Sequence, residues 1–207
     1  MSRRNVTRSP VHLDTTGVRE VDDDELAAIL HAATSVVHQG GRKQLTLLLK
    51  GSRDKSLIAH GLNENESYGA LSHLTIEQIS HRVDWAIKMG YLEYYYEWRQ
   101  PLLAFTERGW ELERPVVVEG YYRDFAHDVE TGEHAMAERM TDIKADIQRD
   151  VLTLIAERCD RRAIPHLTAW SEHAFKRTAK KIAWAIRTIE SRYPLDSRPA
   201  DSESVTR

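Results

Sequence analysis

The chain has 207 residues, of which 29 are Lys or Arg and 32 are Asp or Glu, giving a formal net charge of -3 with a single cysteine. That length can bury one or two cores, and the acidic balance offers nucleic acid no global attraction, so any polyanion site has to be local. One cysteine excludes a disulfide framework and a multi-cysteine zinc site within the chain, and no apolar run approaches a membrane span, so a reducing cytoplasm and no membrane contact are expected.

Residues 1–21 are polar and are expected to form a loose arm, as is the tail 194–207. From Asp22, carboxylates open a helix whose apolar stripe is Leu26, Ile29, Leu30, Ala33 and Val37, with Gly40 and Gly41 as its stop. A second helix is expected over Arg42 to Lys50, with Leu45, Leu48 and Leu49 inward and Gly51 ending it. Between Gly41 and Lys55 the cations Arg42, Lys43, Lys50, Arg53 and Lys55 stand against Asp54 alone. Thr75 to Gln78 match a capping box, which starts a third helix at Ile76 with Ile79, Val83, Ala86 and Ile87 inward and Met89-Gly90 as its stop. Tyr91 to Trp98 then alternate as a strand, Arg99-Gln100-Pro101 turn, Leu102 to Thr106 return, and a helix from Glu107 closes the module before Pro115. Three helices, a hairpin and a closing helix over 22–114 describe a winged helix with a short β-hairpin wing.

After a connector over 115–132, Met136, Met140, Ile143, Ile147, Val151 and Leu154 mark one long helix from Glu133 to Asp160, and a second runs from Ile164 to Tyr193. The fold class is therefore mainly α (α+β): a winged helix followed by a C-terminal antiparallel helical hairpin over 133–193. In its last helix Lys176, Arg177, Lys180, Lys181 and Arg187 share one side with Trp184. This second basic face suits an extended nucleic-acid path or docking on an acidic partner, and a solvated face or protein contact is the reading preferred.

The segments GRKQLTLLLKGSRDKSLIAHGL, SYGALSHLTIEQISHRVDWAIKMGYLE and LLAFTERGWELER occur in order. They carry Lys50-Gly51-Ser52, Tyr68-Gly69, Gly90-Tyr91-Leu92 and the Leu103 to Gly109 return, and over 22–114 the chain resembles the winged-helix domain at the C-terminal end of RecQ-family helicases. The resemblance implies docking on duplex DNA through the start of the second helix, the loop after it and the start of the third. Carried onto this chain, the phosphate contacts would be Arg42, Lys43, Ser52, Arg53, Lys55 and the Thr75 cap. The wing tip that can act as a wedge would be Tyr96 and Trp98, with Arg99. The 207 residues depart from the helicases in lacking a phosphate-binding loop and the zinc subdomain, and in the shortness of the wing.

The third helix presents Glu77, Gln78, His81, Arg82, Asp84 and Lys88, a mixed face whose carboxylates would be repelled in a deep groove, so recognition by shape and phosphate is expected. No catalytic constellation, cofactor or metal site is read: His127, His134, His166 and His173 lack a ligand spacing, and Cys159 suits a buried position. The leading reading is a non-enzymatic adaptor for repair, replication or genome-defence machinery. It would bind duplex or forked DNA, while the C-terminal helices recruit a helicase, a nuclease or a second copy. The alternatives are a protein-interaction module with a vestigial winged helix and a winged-helix transcription regulator.

Overall fold

The computed structural model describes residues 11–98 and 100–194. The arm residues 1–10, Arg99 and the tail from 195 onward lie outside the described residues. The chain divides between Val116 and Val117 into two compact units. Mainly helical structure with one two-stranded antiparallel sheet agrees with the expected class. No described helix is long and apolar enough to cross a membrane.

In the first unit, α1 (Asp23–Thr34) begins at Asp22, whose side chain accepts from the Glu25 amide at 2.7 Å, and α2 (Arg42–Lys50) ends at Gly51 in the left-handed region. A short α3 (Lys55–Ala59), missed in the sequence, starts because Asp54 accepts from the amides of Ser56 and Leu57. The capping box of α4 (Ile76–Lys88) forms as expected: Thr75 Oγ1 accepts from the Gln78 amide at 3.2 Å and Gln78 Oε1 accepts from the Thr75 amide at 2.9 Å. Ile29, Leu45, Leu48, Leu49, Ile79, Val83, Leu92 and Leu103 are fully or almost fully buried and join these helices to the base of the wing.

The wing consists of β1 (Leu92–Glu97) and β2 (Gln100–Phe105), and Glu97 pairs with Gln100. The turn expected over Arg99 to Pro101 is displaced, because pairing of the strands carries Gln100 and Pro101 into β2. Backbone bonds from His38 N to Leu103 O and from Leu103 N to Gly40 O, both 2.9 Å, tie the segment after α1 to β2. That segment leaves the helix at Thr34, three residues short of the Val37 that closed the expected stripe, because His38 takes a left-handed φ of 64° to reach β2.

The separate motifs of the sequence meet in pairs. Gly51 packs on Gly69, with a Cβ at Gly51 reaching 3.0 Å from the Gly69 Cα, while Tyr68 Oη donates to the Ser52 carbonyl at 2.9 Å. Gly109 lies so close to the Tyr91 carbonyl that no side chain fits there, and Thr106 caps the following helix by accepting from the Gly109 amide at 3.1 Å. These two locks fix α2 to the loop before α4, and the wing to α5 (Glu107–Thr131). A buried carboxylate on α5, Glu113, meets His31 Nδ1 of α1 at 2.8 Å.

Helix α5 was expected to stop before Pro115, but it runs through that residue, and the unit boundary falls inside it. Proline removes one intrahelical bond yet leaves the chain's φ helical, and Val118 and Phe125 give the continued helix a buried side. In the second unit each expected long helix is divided. The first becomes α6 (Ala135–Arg139), a 3-10 turn over Met140–Asp142 and α7 (Ala145–Arg158). The second becomes α8 (Ala163–His173) and α9 (Lys176–Arg192). The first break is stabilised by buried Gln148, which donates to the carbonyls of Met140 at 2.7 Å and Ile143 at 2.8 Å and accepts from Thr178 Oγ1 at 2.7 Å. Helix α9 packs on α7 and α8, over a core of Val151, Ile155, Leu167, Trp170, Ile182 and Ile189.

Candidate nucleic-acid interface

The residues expected to meet phosphates fall into two groups at opposite ends of α2. A rise of about 1.5 Å per residue separates Lys43 from Lys50 by roughly 10 Å along the helix, so the two ends address different phosphates. At the amino end Lys43 is exposed, whereas Arg42 is engaged: its Nη1 donates to Asp84 Oδ2 at 2.6 Å and Oδ1 at 2.8 Å, and to the His12 carbonyl at 3.2 Å. Asp84 is only 1% exposed and also accepts from the Asp14 amide at 2.8 Å. Hydrogen bonds donated to the Asp84 carboxylate raise the hold of Arg42 on its proton above the ordinary guanidinium value.

Ser52, Arg53 and Lys55 follow the carboxyl end of α2, and the loop that leads into Thr75 and α4 is held to that end. Lys50 is the link: its ammonium donates to the carbonyls of Ser72 at 2.6 Å and Leu74 at 2.8 Å, immediately before the Thr75 cap. Arg53, Lys55 and Thr75 are exposed, and Ser52 is partly so. Neither Arg53, Lys55 nor Lys43 makes an ion pair among the described residues, so each charge is available to an anion. At the start of α4 the Ile76 and Glu77 amides lie outside the intrahelical ladder at the positive end of the helix dipole, and the Gln78 amide is taken by Thr75.

The face of α4 differs from the expected one. Asp84 is buried and paired instead of solvent-facing, and the polar residues around it are occupied by residues 11–21, which were expected to be loose. His81 Nε2 sits 3.5 Å from Asp14 Oδ2, Trp85 Nε1 donates to the Arg19 carbonyl at 3.2 Å, and Lys88 Nζ reaches Thr15 Oγ1 at 3.5 Å. His81, Asp84, Trp85 and Lys88 are spaced as one helical stripe, and a single strap of chain runs along it. The next stripe is held by Arg82, whose Nε donates to both Glu25 oxygens at 2.8 and 2.9 Å. The strap residues His12, Asp14, Thr15 and Arg19 were missed, since nothing in their local pattern marks a partner about 70 residues away. Val18, packed against the core, and the buried Val21 anchor the strap.

At the wing tip Trp98 is 89% exposed and adopts a φ of 57°. A two-residue hairpin turn favours Asn or Gly at such a position, and a bulky side chain there costs on the order of 1 kcal/mol. Tyr96 lies partly buried on the inner face of β1, and Arg99 is outside the described residues. Tyr94, on the same inner face, is half-buried, and burial pushes its phenol above the ordinary value. Tyr95, on the outer face, meets His38 edge to face at 5.8 Å.

The second basic face keeps its residues together on α9. Lys176, Arg177, Lys180 and Arg187 are exposed, Lys181 is partly so, and the Lys181 ammonium sits over the Trp184 ring, 3.2 Å from its centroid. Phe175 is 79% exposed just before the helix, and the buried side is formed by Thr178, Ile182, Ala185 and Ile189. His134 and His166 stack with ring centroids 4.2 Å apart, a pairing that their sequence spacing did not show.

No curated protein and no solved structure matches the chain. The model of the RQC domain matches residues 20–117, which takes in every lock described above and the whole wing. With its winged-helix geometry in place, that segment belongs to the RQC family of winged-helix DNA-binding domains.

Proposed function

We propose that the protein is a non-enzymatic DNA-binding adaptor that holds duplex or forked DNA through backbone phosphates, with Trp98 set against the end of the duplex. The observation that carries this reading is the contrast within the RQC domain: Lys43, Arg53 and Lys55 are exposed and without ion pairs, while Arg42 and the polar stripe of α4 are already engaged. Free cations beside a helix amino end suit phosphate contact, whereas a covered α4 disfavours insertion into the major groove and hence a sequence-specific regulator. The motor or nuclease of a repair, replication or genome-defence machine would be another chain, recruited by the second unit in a reducing cytoplasm. Buried Cys159, whose thiol is pushed up by its burial, suits that compartment.

A salt titration on blunt duplex and fork tests it. Affinity should fall steeply with salt, and Lys43→Glu/Arg53→Glu/Lys55→Glu should weaken binding and lower the slope by about 0.9 for each phosphate that is no longer neutralised. Binding that ignores salt, or that the triple variant retains, overturns the reading.

A further inference from the structure

Helix α9 presents Lys176, Arg177, Lys180, Lys181, Trp184 and Arg187 within an arc of roughly 140° at 100° per residue, and the second unit is folded so that α7 supplies a wall facing part of that arc. Arg149 of α7 and Arg177, Lys180 and Lys181 of α9 line one open groove, with Trp184 on its side and Leu152 in its floor. The floor has no free donor at Thr178, whose hydroxyl is buried and given to Gln148. Burial, followed by Arg149, weakens the hold of Lys181 on its proton, and Asp150 and Glu157 of α7 act in the opposite sense. Four cations from two helices thus converge beside an aromatic ring that is 36% exposed.

We propose that this groove between α7 and α9 binds single-stranded nucleic acid, with phosphates held by Arg149, Arg177 and Lys180 and a base stacked on Trp184. Cations flanking an aromatic face are what a strand with alternating anionic and π surfaces requires. A phosphate at Arg177 and Lys180 gives Lys181 a stronger partner than the indole and frees the ring face it covers. An acidic peptide fits less well: the described residues of this unit contain no strand edge for its backbone to pair with. The same chain carries a DNA-binding domain, so nucleic acid reaches the groove at a raised effective concentration. This second site does not depend on how the first unit holds duplex.

The test is fluorescence anisotropy of labelled (dT)15 with the full chain over a range of salt, each variant first checked for an unchanged circular dichroism spectrum and melting temperature. Arg177→Glu/Lys180→Glu should weaken (dT)15 at least tenfold and lower the salt slope by about 1.4, which is roughly 0.7 for each of two phosphates. Trp184→Ala should weaken it about tenfold with the slope unchanged, and Trp184→Phe should restore most of the loss. Lys43→Glu/Arg53→Glu/Lys55→Glu should retain (dT)15 binding, which separates this site from the duplex site. Unchanged affinity in the Arg177/Lys180 variant overturns the proposal, as does a Trp184→Phe protein as weak as Trp184→Ala. Displacement of (dT)15 by a 15-residue polyglutamate as readily as by unlabelled (dT)15 also overturns it, in favour of an acidic protein segment.

Discussion

The guanidinium of Arg42 closes on the carboxylate of Asp84 at 2.6 and 2.8 Å, joining the first residue of α2 to the third turn of α4. Asp84 is buried and Arg42 is 34% exposed, so the pair is a structural clasp at the place where the domain was expected to offer a free cation. It also holds the strap, through the His12 carbonyl and the Asp14 amide.

Removing Arg42 leaves a buried carboxylate without its charge partner. Arg42→Ala should lower the unfolding free energy of the first unit by about 3 kcal/mol, the low end for a broken buried pair because solvent reaches the arginine. Urea unfolding measures this, and DNA affinity per folded molecule should fall less than in Arg53→Ala. A larger affinity loss at Arg42 than at Arg53 would show that the clasp opens to take phosphate.

Two glycines of α5 should behave in opposite ways. A Cβ at Gly109 would overlap the Tyr91 carbonyl, a backbone atom held by the hairpin, whereas at Gly120 it meets only the end of the Arg123 side chain at 3.9 Å. Gly109→Ala should cost about 3 kcal/mol or prevent folding, and Gly120→Ala should stabilise by up to about 1 kcal/mol from helix propensity. Thermal melts of the two variants read the difference directly.

Trp98 is held at positive φ with almost all of its side chain in solvent, so its replacement removes strain and little packing. Trp98→Gly should melt at the wild-type temperature or slightly above it. If the ring stacks at a duplex end, the same variant should lose the preference for fork over blunt duplex while its salt slope stays constant. Equal preference in both proteins would assign the exposed ring another role.

His166 is buried beside His134, and burial followed by the neighbouring ring pushes its pKa below the ordinary 6.5. The native state therefore favours neutral imidazole, and the unfolded chain binds more protons between the two pKa values. Stability from this residue is fully present above about pH 6.5 and is lost as pH falls through the lowered native value. Urea midpoints of the second unit should drop over that window, and His166→Gln should flatten the dependence. An equally steep profile in the variant would assign it to other groups.

The first unit was legible because its signals are local. The capping box at Thr75 and the Gly51 stop depend on neighbours within about four residues and form as read, while the strand expected over Tyr91 to Trp98 forms over Leu92–Glu97 and leaves Trp98 in the turn. The two long helices of the second half were not legible: apolar spacing continues through residues 140–145 and 173–176, and the first of these breaks depends on Gln148 reaching back to the Met140 and Ile143 carbonyls, with Thr178 holding Gln148.

By itself the sequence determined α1, α2, α4 and the hairpin, their order, and the stretch of chain in which positive charge is concentrated, because propensity, caps and periodicity act over a few residues. Only the tertiary structure decided which charges stay free. Asp84 reads as a surface carboxylate until α2 and the 11–21 strap pack over it, and Arg42 reads as a phosphate contact until it meets Asp84. Ion pairing between residues 42 positions apart depends on where folding brings the chain, and Coulomb energy falls with distance in space, to which distance along the sequence is no guide.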